Sequence, residues 1–175
     1  MKGRLTLRAG GRASQWSRHF SAAAATATPA SPRFVEVTDR GGKRKVALSE
    51  WGHERGHPVF FAHDVHSCRV VGGLFDKVAR AENLRLIILD RPGTGQSEPS
   101  ALGNKRTALD WASDVEQVAN ALNVKTFSLL GFHAGVQFAF AAAVKLRDRV
   151  RSLHSVSGNA DFHELPRGLI MQYEP

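Results

Sequence analysis

The chain has 175 residues, of which 42% are hydrophobic and 23% are charged, and this is the composition of an ordinary globular protein. Its net charge of +8 is concentrated at the amino terminus, because residues 1–34 carry six basic and no acidic side chains, whereas the rest carries 18 basic and 16 acidic ones. The body is nearly neutral and has no basic stripe, which excludes a typical nucleic-acid-binding protein. The single cysteine, Cys68, excludes an internal disulfide bond. No apolar run approaches the roughly 18 residues of a membrane span.

Residues 1–33 have the composition of an organelle transit peptide, since they are rich in Arg, Ser and Ala and contain no acidic residue. Five apolar residues spaced by three or four would form one stripe on a helix: Leu5, Ala9, Ala13, Trp16 and Phe20. The segment RHFSAAAA, residues 18–25, resembles mitochondrial processing sites. We therefore expect a mitochondrial protein of the matrix, with a plastid as the alternative destination. The alternative interpretation of the segment is a disordered basic tail.

The body of the chain predicts buried strands that alternate with helices. Strands are expected over 33–39, 45–52, 59–63, 84–90, 127–131 and 150–158, and helices over 70–82, 107–122 and 134–147. This alternation is typical of a mostly parallel sheet with helices on both faces, an α/β fold. We place one domain at residues 34–162 and an irregular tail at residues 163–175.

The segment LLGFHAGVQFAF, residues 129–140, indicates an apolar strand, a tight turn of small residues and an apolar helix. Strand-to-helix turns of the form G-x-S-x-G expose a nucleophilic serine at their tip. The tip residue of this turn is His133. The segment is therefore a candidate active site in which the usual nucleophile is replaced.

Three segments in this order resemble the α/β-hydrolase superfamily over residues 34–162. They are WGHERGHPVFFAHDVHSCR at 51–69, DRPGTGQS at 90–97 and ALDWASDVEQVANALNVKTFSLLG at 108–131. The resemblance implies the amino-terminal portion of that fold, through about its sixth strand. It also implies that Gly93 and Gly95 take backbone angles that only glycine adopts at low cost.

The resemblance assigns roles to residues around the turn. His133 stands at the nucleophile position, Gly131 and Gly135 are the structural glycines of the elbow, and the backbone N–H groups of Val65 and Ala134 are candidate oxyanion-hole donors. The loop after the third strand departs from the family's His-Gly, because it reads His63-Asp64. The Asp64 carboxylate would oppose an oxyanion, and an aspartate tolerates a glycine-like backbone conformation poorly.

The family's acid and base follow the nucleophile in chain order, and no residue of this sequence matches either position. His154 and His163 come too early to match the base. We therefore expect a truncated, hydrolase-like protein that is not catalytically competent. Polar Ser152 and His154 in the last strand indicate relaxed constraint or an exposed sheet edge, through which we expect self-association.

Two further interpretations stay open. One is an acyl or carboxylic-ester hydrolase whose sequence is recorded incompletely. The other is a metal-binding or scaffold module, in which His63, Asp64, His66 and Cys68 would join His133 around zinc. Because their spacing matches no strict metal motif, we expect neither a metal nor another cofactor. The sequence specifies no small-molecule substrate.

Overall fold

The computed structural model describes residues 31–158. The predicted transit peptide lies outside the described residues, apart from its last three positions, and so does the predicted tail at 163–175. None of the helices in the described part of the chain is long and apolar enough to cross a membrane.

The described residues form a six-stranded mixed sheet with the order β1-β2-β4-β3-β5-β6. The strands are β1 Arg33–Asp39, β2 Gly42–Gly52, β3 His57–Ala62, β4 Leu84–Leu89, β5 Phe127–Phe132 and β6 Val150–Val156. Strand β2 pairs antiparallel with β1 and with β4, whereas β4, β3, β5 and β6 run parallel to one another. The predicted α/β class with a mostly parallel sheet is confirmed.

Three α-helices connect the strands: α1 Asp76–Ala81, α2 Ala108–Ala121 and α3 Gly135–Lys145. Short 3-10 helices lie at Arg69–Leu74 and Gly103–Lys105. The segment 70–82, expected to be helical, is a 3-10 helix followed by α1. A Cβ atom on Gly72, within the 3-10 helix, would lie 2.2 Å from Cδ1 of Trp51, so the backbone passes close to the sheet there.

Both faces of the central strands are buried, which explains their continuous apolar runs. On β3 and β4, Phe60 and Ile87 pack with α2 and α3, while Phe61 and Ile88 pack on the opposite face, where α1 contributes Ala79. The carboxyl ends of the parallel strands then meet at one edge of the sheet. The loops that carry the candidate site residues follow β3 and β5 at this edge.

A buried ion cluster joins the β1–β2 hairpin to α2. Its members are Asp39, Arg44, Arg106 and Asp114, whose side chains are between 2% and 11% exposed. Each arginine contacts both carboxylates at 2.5–3.1 Å. Burial on its own would raise the pKa of Asp39, but hydrogen bonds from Ser100, the Gly41 backbone and Arg44 hold it at about 2. Burial raises the pKa of Asp114.

Within residues 31–158, β6 pairs with β5 alone and so forms one edge of the sheet. His154 is exposed there and Ser152 is half-buried, as polar residues at a sheet edge are expected to be. A chain of hydrogen bonds runs inward from this edge across β5 to the start of β3. It joins His154 Nε2 to Ser152 Oγ at 3.0 Å, Ser152 Oγ to Ser128 Oγ at 2.7 Å, and Ser128 Oγ to His57 Nε2 at 2.8 Å.

Candidate functional site

The turn between β5 and α3 forms a strained strand-to-helix elbow. His133 has a φ of 51°, in the left-handed region that non-glycine residues rarely adopt, at a cost on the order of 1 kcal/mol. A Cβ atom on Gly131 would lie 2.6 Å from Cα of Val136, and one on Gly135 would lie 1.9 Å from the Ala62 carbonyl oxygen. The elbow therefore packs too tightly against β3 and α3 for any side chain at either glycine.

The His133 backbone is fixed, while its imidazole makes few contacts. Its N–H donates to the Val156 carbonyl at 3.0 Å, and its carbonyl accepts from Val136 N–H at 3.1 Å. The ring packs edge to face on Phe132, with 4.4 Å between the ring centroids. No described residue forms a hydrogen bond with the imidazole. The Asp64 carboxylate acts on the ring only through its charge, so no described group is hydrogen-bonded to it to orient it or to take up its proton.

The loop after β3 brings a carboxylate to the elbow. Ala134 N–H donates to Asp64 Oδ1 at 3.3 Å. The pKa of Asp64 is lowered, chiefly by the Val65 N–H. Burial, the second-largest effect, opposes this, and the Ala134 N–H and the charges of His133 and His66 add smaller lowering effects. The backbone N–H groups of Val65 and Ala134, the candidate oxyanion donors, thus act on the same carboxylate.

The backbone strain expected at Asp64 is absent, because this residue does not have a positive φ. Two carbonyl groups of this loop accept hydrogen bonds from Arg91. Arg91 Nη1 donates to the His63 carbonyl at 2.9 Å, and its Nη2 donates to the Asp64 carbonyl. The arginine therefore holds the loop in a conformation that an aspartate can adopt.

His63 points into the protein. Its side chain is fully enclosed, with 2% of the residue exposed, and its Nδ1 lies 2.8 Å from the Asp64 carbonyl oxygen. Burial lowers its pKa, which favours the neutral imidazole. Cys68 is half-buried where the 3-10 helix Arg69–Leu74 begins. In residues 31–158, no group of three or more His, Cys, Asp or Glu side chains is arranged to hold a metal ion.

The loop after β4 is organised by a buried carboxylate. Asp90 accepts hydrogen bonds from the Arg69 backbone at 2.7 Å and from the Gln96 backbone at 2.9 Å, and it pairs with the Arg69 guanidinium. Gly93 and Gly95 have φ values of 72° and 57°, and a Cβ atom on Gly95 would lie 2.1 Å from Asp90 Oδ2. The loop therefore closes tightly around Asp90 and places the next residue, Arg91, beside the loop after β3.

The sequence reasoning missed the roles of Arg69 and Arg91. Both arginines lie in segments that it had marked, one after the loop that follows β3 and one in DRPGTGQS. The position of Arg91 directly after Asp90, at the end of a predicted strand, could have indicated a role for it. Its hydrogen bonds to the loop after β3 could not be predicted, because they depend on tertiary contacts.

Known proteins resemble this chain over much of its length. The model of a family described as alpha/beta hydrolase fold matches residues 61–173. Proline iminopeptidase from Neisseria gonorrhoeae is 29% identical over 115 residues, which are 62% of this chain and 35% of that enzyme. Proline iminopeptidase from Xanthomonas citri is 28% identical over 119 residues, 66% of this chain and 36% of that enzyme. The chain thus spans about a third of the length of the curated relatives it matches.

Solved structures share the fold. A thermophilic esterase from Thermogutta terrifontis superposes with a TM-score of 0.63 at 26% identity, covering 73% of this chain and 46% of the esterase. An esterase from Exiguobacterium antarcticum superposes with a TM-score of 0.59 at 23% identity, with the same coverage of 73% and 46%. The second likeness supports the fold alone.

Proposed function

The chain belongs to the α/β-hydrolase fold family, and from this premise we propose that it is a binding or scaffold protein whose elbow does not perform serine-type hydrolysis. The observation that carries the proposal is the Asp64 carboxylate, which accepts a hydrogen bond from the Ala134 N–H and is further stabilised by the Val65 N–H.

Acyl transfer needs backbone N–H groups aimed at the oxygen that becomes negative in the tetrahedral intermediate. The Asp64 carboxylate already accepts a hydrogen bond from the Ala134 N–H and is stabilised by the nearby Val65 N–H. An oxyanion forming at the same place would have to displace Asp64 and would meet its negative charge. The backbone N–H groups thus stabilise the Asp64 carboxylate instead of the negatively charged oxygen in the transition state of acyl transfer.

The residue at the tip supports the same conclusion. A neutral imidazole can attack an ester carbonyl, but the His133 ring has no described hydrogen-bond partner to activate it or to take up its proton. Loss of the serine alone costs a serine hydrolase on the order of a millionfold in turnover. The elbow therefore lacks the usual nucleophile, and residues 31–158 contain no hydrogen-bonded group that assists the histidine replacing it.

A second candidate function is that of an acyl or carboxylic-ester hydrolase. The strained φ of His133 and the closely packed Gly131 and Gly135 favour it, because they preserve the geometry that exposes a nucleophile. In that case His133 would attack the ester carbon, expel the alcohol and leave an acyl-imidazole that water hydrolyses.

Hydrolysis of p-nitrophenyl butyrate by the full chain separates the two functions. We expect the same slow rate from the full chain, from His133→Ala and from His53→Ala, a control at an exposed histidine. We also expect no rescue by His133→Ser, alone or with Asp64→Gly, because general-base assistance worth about 10²–10⁴-fold would still be missing. A burst of p-nitrophenol, or a rate that falls at least about tenfold in His133→Ala alone, would establish the hydrolase.

A further inference from the structure

A cavity of about 350 Å³ lies between the loop after β4 and the helices α2 and α3. Its walls include Arg91, Pro92, Pro99, Arg106, Trp111 and Phe138. This volume lies at the lower end of the range for small-molecule sites in proteins. The lining of the cavity does not include His133 or Asp64, so binding there does not depend on the chemistry of the elbow.

One wall of the cavity is aromatic. Trp111 and Phe138 meet edge to face with 5.9 Å between their ring centroids. The Arg91 guanidinium lies over the Phe138 ring, with Cζ 5.0 Å from the centroid. The cavity therefore presents an apolar ring and the Arg91 guanidinium side by side.

The two arginines of the cavity differ in their charge balance. Arg106 pairs with two carboxylates of the buried ion cluster, so its charge is neutralised. Arg91 forms no ion pair with any of residues 31–158, and its guanidinium donates to the carbonyls of His63 and Asp64. The Asp64 carboxylate acts on Arg91 only at longer range and is itself engaged by backbone N–H groups.

Arg91 therefore keeps a positive charge that no described side chain neutralises in direct contact. Burial lowers its pKa, which shows that the charge has lost part of its hydration. Its Nε–H forms no hydrogen bond with a described residue, so this donor is left. A carboxylate accepts a charge-assisted hydrogen bond from such a donor and balances a partly dehydrated charge at the same time.

We propose that this cavity binds a small organic carboxylate with an apolar body, its carboxylate on Arg91 and its body against Phe138, which packs on the almost fully buried Trp111. The acid supplies the missing negative charge, and the Phe138 ring supplies most of the apolar contact. Recognition thus requires both parts of the ligand, so acetate and a neutral aromatic amide should each bind much more weakly than an aromatic acid.

The test is a titration of the full chain with 3-phenylpropionate, followed by calorimetry. We expect saturation below about 10 mM ligand, as is reasonable for a molecule of this size. Acetate and 3-phenylpropanamide should bind at least about tenfold more weakly, because each lacks one of the two recognised parts. Absence of binding by 3-phenylpropionate, or equal binding of the amide, would overturn the proposal.

Substitutions locate the site. Arg91→Gln should weaken binding at least about tenfold, whereas Arg147→Gln, at an exposed arginine, should leave it unchanged. Because Arg91 also holds the loop after β3, a second pair of variants avoids that role. Thr94 lines the same cavity. Thr94→Asp should repel the ligand at least about tenfold and Thr94→Asn should bind within about twofold of the parent chain. Equal affinities in this pair would place the ligand elsewhere.

Discussion

The backbone nitrogen of Ala134 lies 3.3 Å from Oδ1 of Asp64, so the chain provides its own anion for the first turn of α3. This contact joins the loop after β3 to the elbow, and its partners are 70 residues apart in sequence. It also places a negative charge next to the His133 imidazole, which contributes to the lowered pKa of Asp64. A charge-assisted hydrogen bond within the protein therefore connects the elbow to the loop after β3.

Gly135→Ala should prevent the elbow from closing. The new Cβ atom would lie 1.9 Å from the Ala62 carbonyl oxygen, and backbone cannot move aside as a side chain can. We expect the free energy of unfolding in urea to fall by about 3 kcal/mol or more. The matched control is Gly103→Ala, where no atom lies within 4 Å of the added Cβ and only the φ of 50° is unfavourable, worth about 1–2 kcal/mol. A smaller loss for Gly135→Ala than for this control would contradict the elbow geometry.

Asp39→Asn should destabilise the protein by about 3–5 kcal/mol at neutral pH, because it leaves Arg44 and Arg106 to share one buried carboxylate. The pKa of Asp39 is about 2 in the folded chain and 3.8 ordinarily, so its contribution to stability is complete above about pH 4 and is lost as the pH falls towards 2. Urea unfolding of the parent and the variant between pH 2 and pH 7 should show the two curves converging in acid.

The control for this prediction is Glu36→Gln, which removes an exposed pair with Lys43. Such a pair contributes about 0–1 kcal/mol, so the variant should unfold almost as the parent does. A constant difference between Asp39→Asn and the parent across the whole pH range would show that the carboxylate acts through its shape and not through its charge.

The edge strand β6 should mediate self-association. Val156 is 42% exposed on this strand, which pairs on one side only among residues 31–158. An unpaired edge recruits another strand, and a lysine placed on it opposes this. We expect Val156→Lys to reduce the sedimentation coefficient of the chain at high concentration. Val144→Lys, at an equally exposed valine on α3, should not. Identical sedimentation of the two variants would assign the association to another surface.

Residues 1–34 should direct a fluorescent reporter to mitochondria. The proposal is based on the acid-free composition of this segment and on its arginines beside an apolar stripe. A fusion in which Arg8, Arg12 and Arg18 are changed to Glu keeps the length and the apolar residues, and it should stay in the cytosol. Cytosolic or secreted reporter from the unchanged segment would refute the targeting interpretation.

The sequence predicted the features of the structure that depend on neighbouring residues, and it did not predict those that depend on contacts between residues far apart in the chain. All six strands were predicted, the central ones because continuous apolar runs report burial on both faces, and β1 because its apolar and polar residues alternate. Both patterns are local properties of the sequence. Residues 70–82 were predicted as helical, but the division into a 3-10 helix and α1 was not predicted. The close approach of Gly72 to Trp51 involves residues 21 positions apart and is invisible to periodicity.

The same reason separates what could be predicted at the site from what could not. The strand-turn-helix sequence around His133 located the elbow, and the His63-Asp64 dipeptide marked an unfavourable carboxylate. That Asp64 makes contact with the Ala134 N–H depends on how β3 and β5 lie side by side. The cavity beside Arg91 likewise exists only once α2 and α3 have packed next to the loop after β4.

The hydrogen bonds that run from His154 to His57 have a direction. Three bonds require three hydrogen atoms, and the hydroxyl groups of Ser152 and Ser128 supply one each. When both rings are neutral, the third hydrogen comes from one imidazole, so one ring donates from Nε2 while the other accepts there. The two rings therefore take opposite tautomers, and moving the proton on exposed His154 reverses the polarity of the chain as far as β3. Nitrogen chemical shifts of the two imidazoles would report this coupling as a paired exchange of tautomers across three strands.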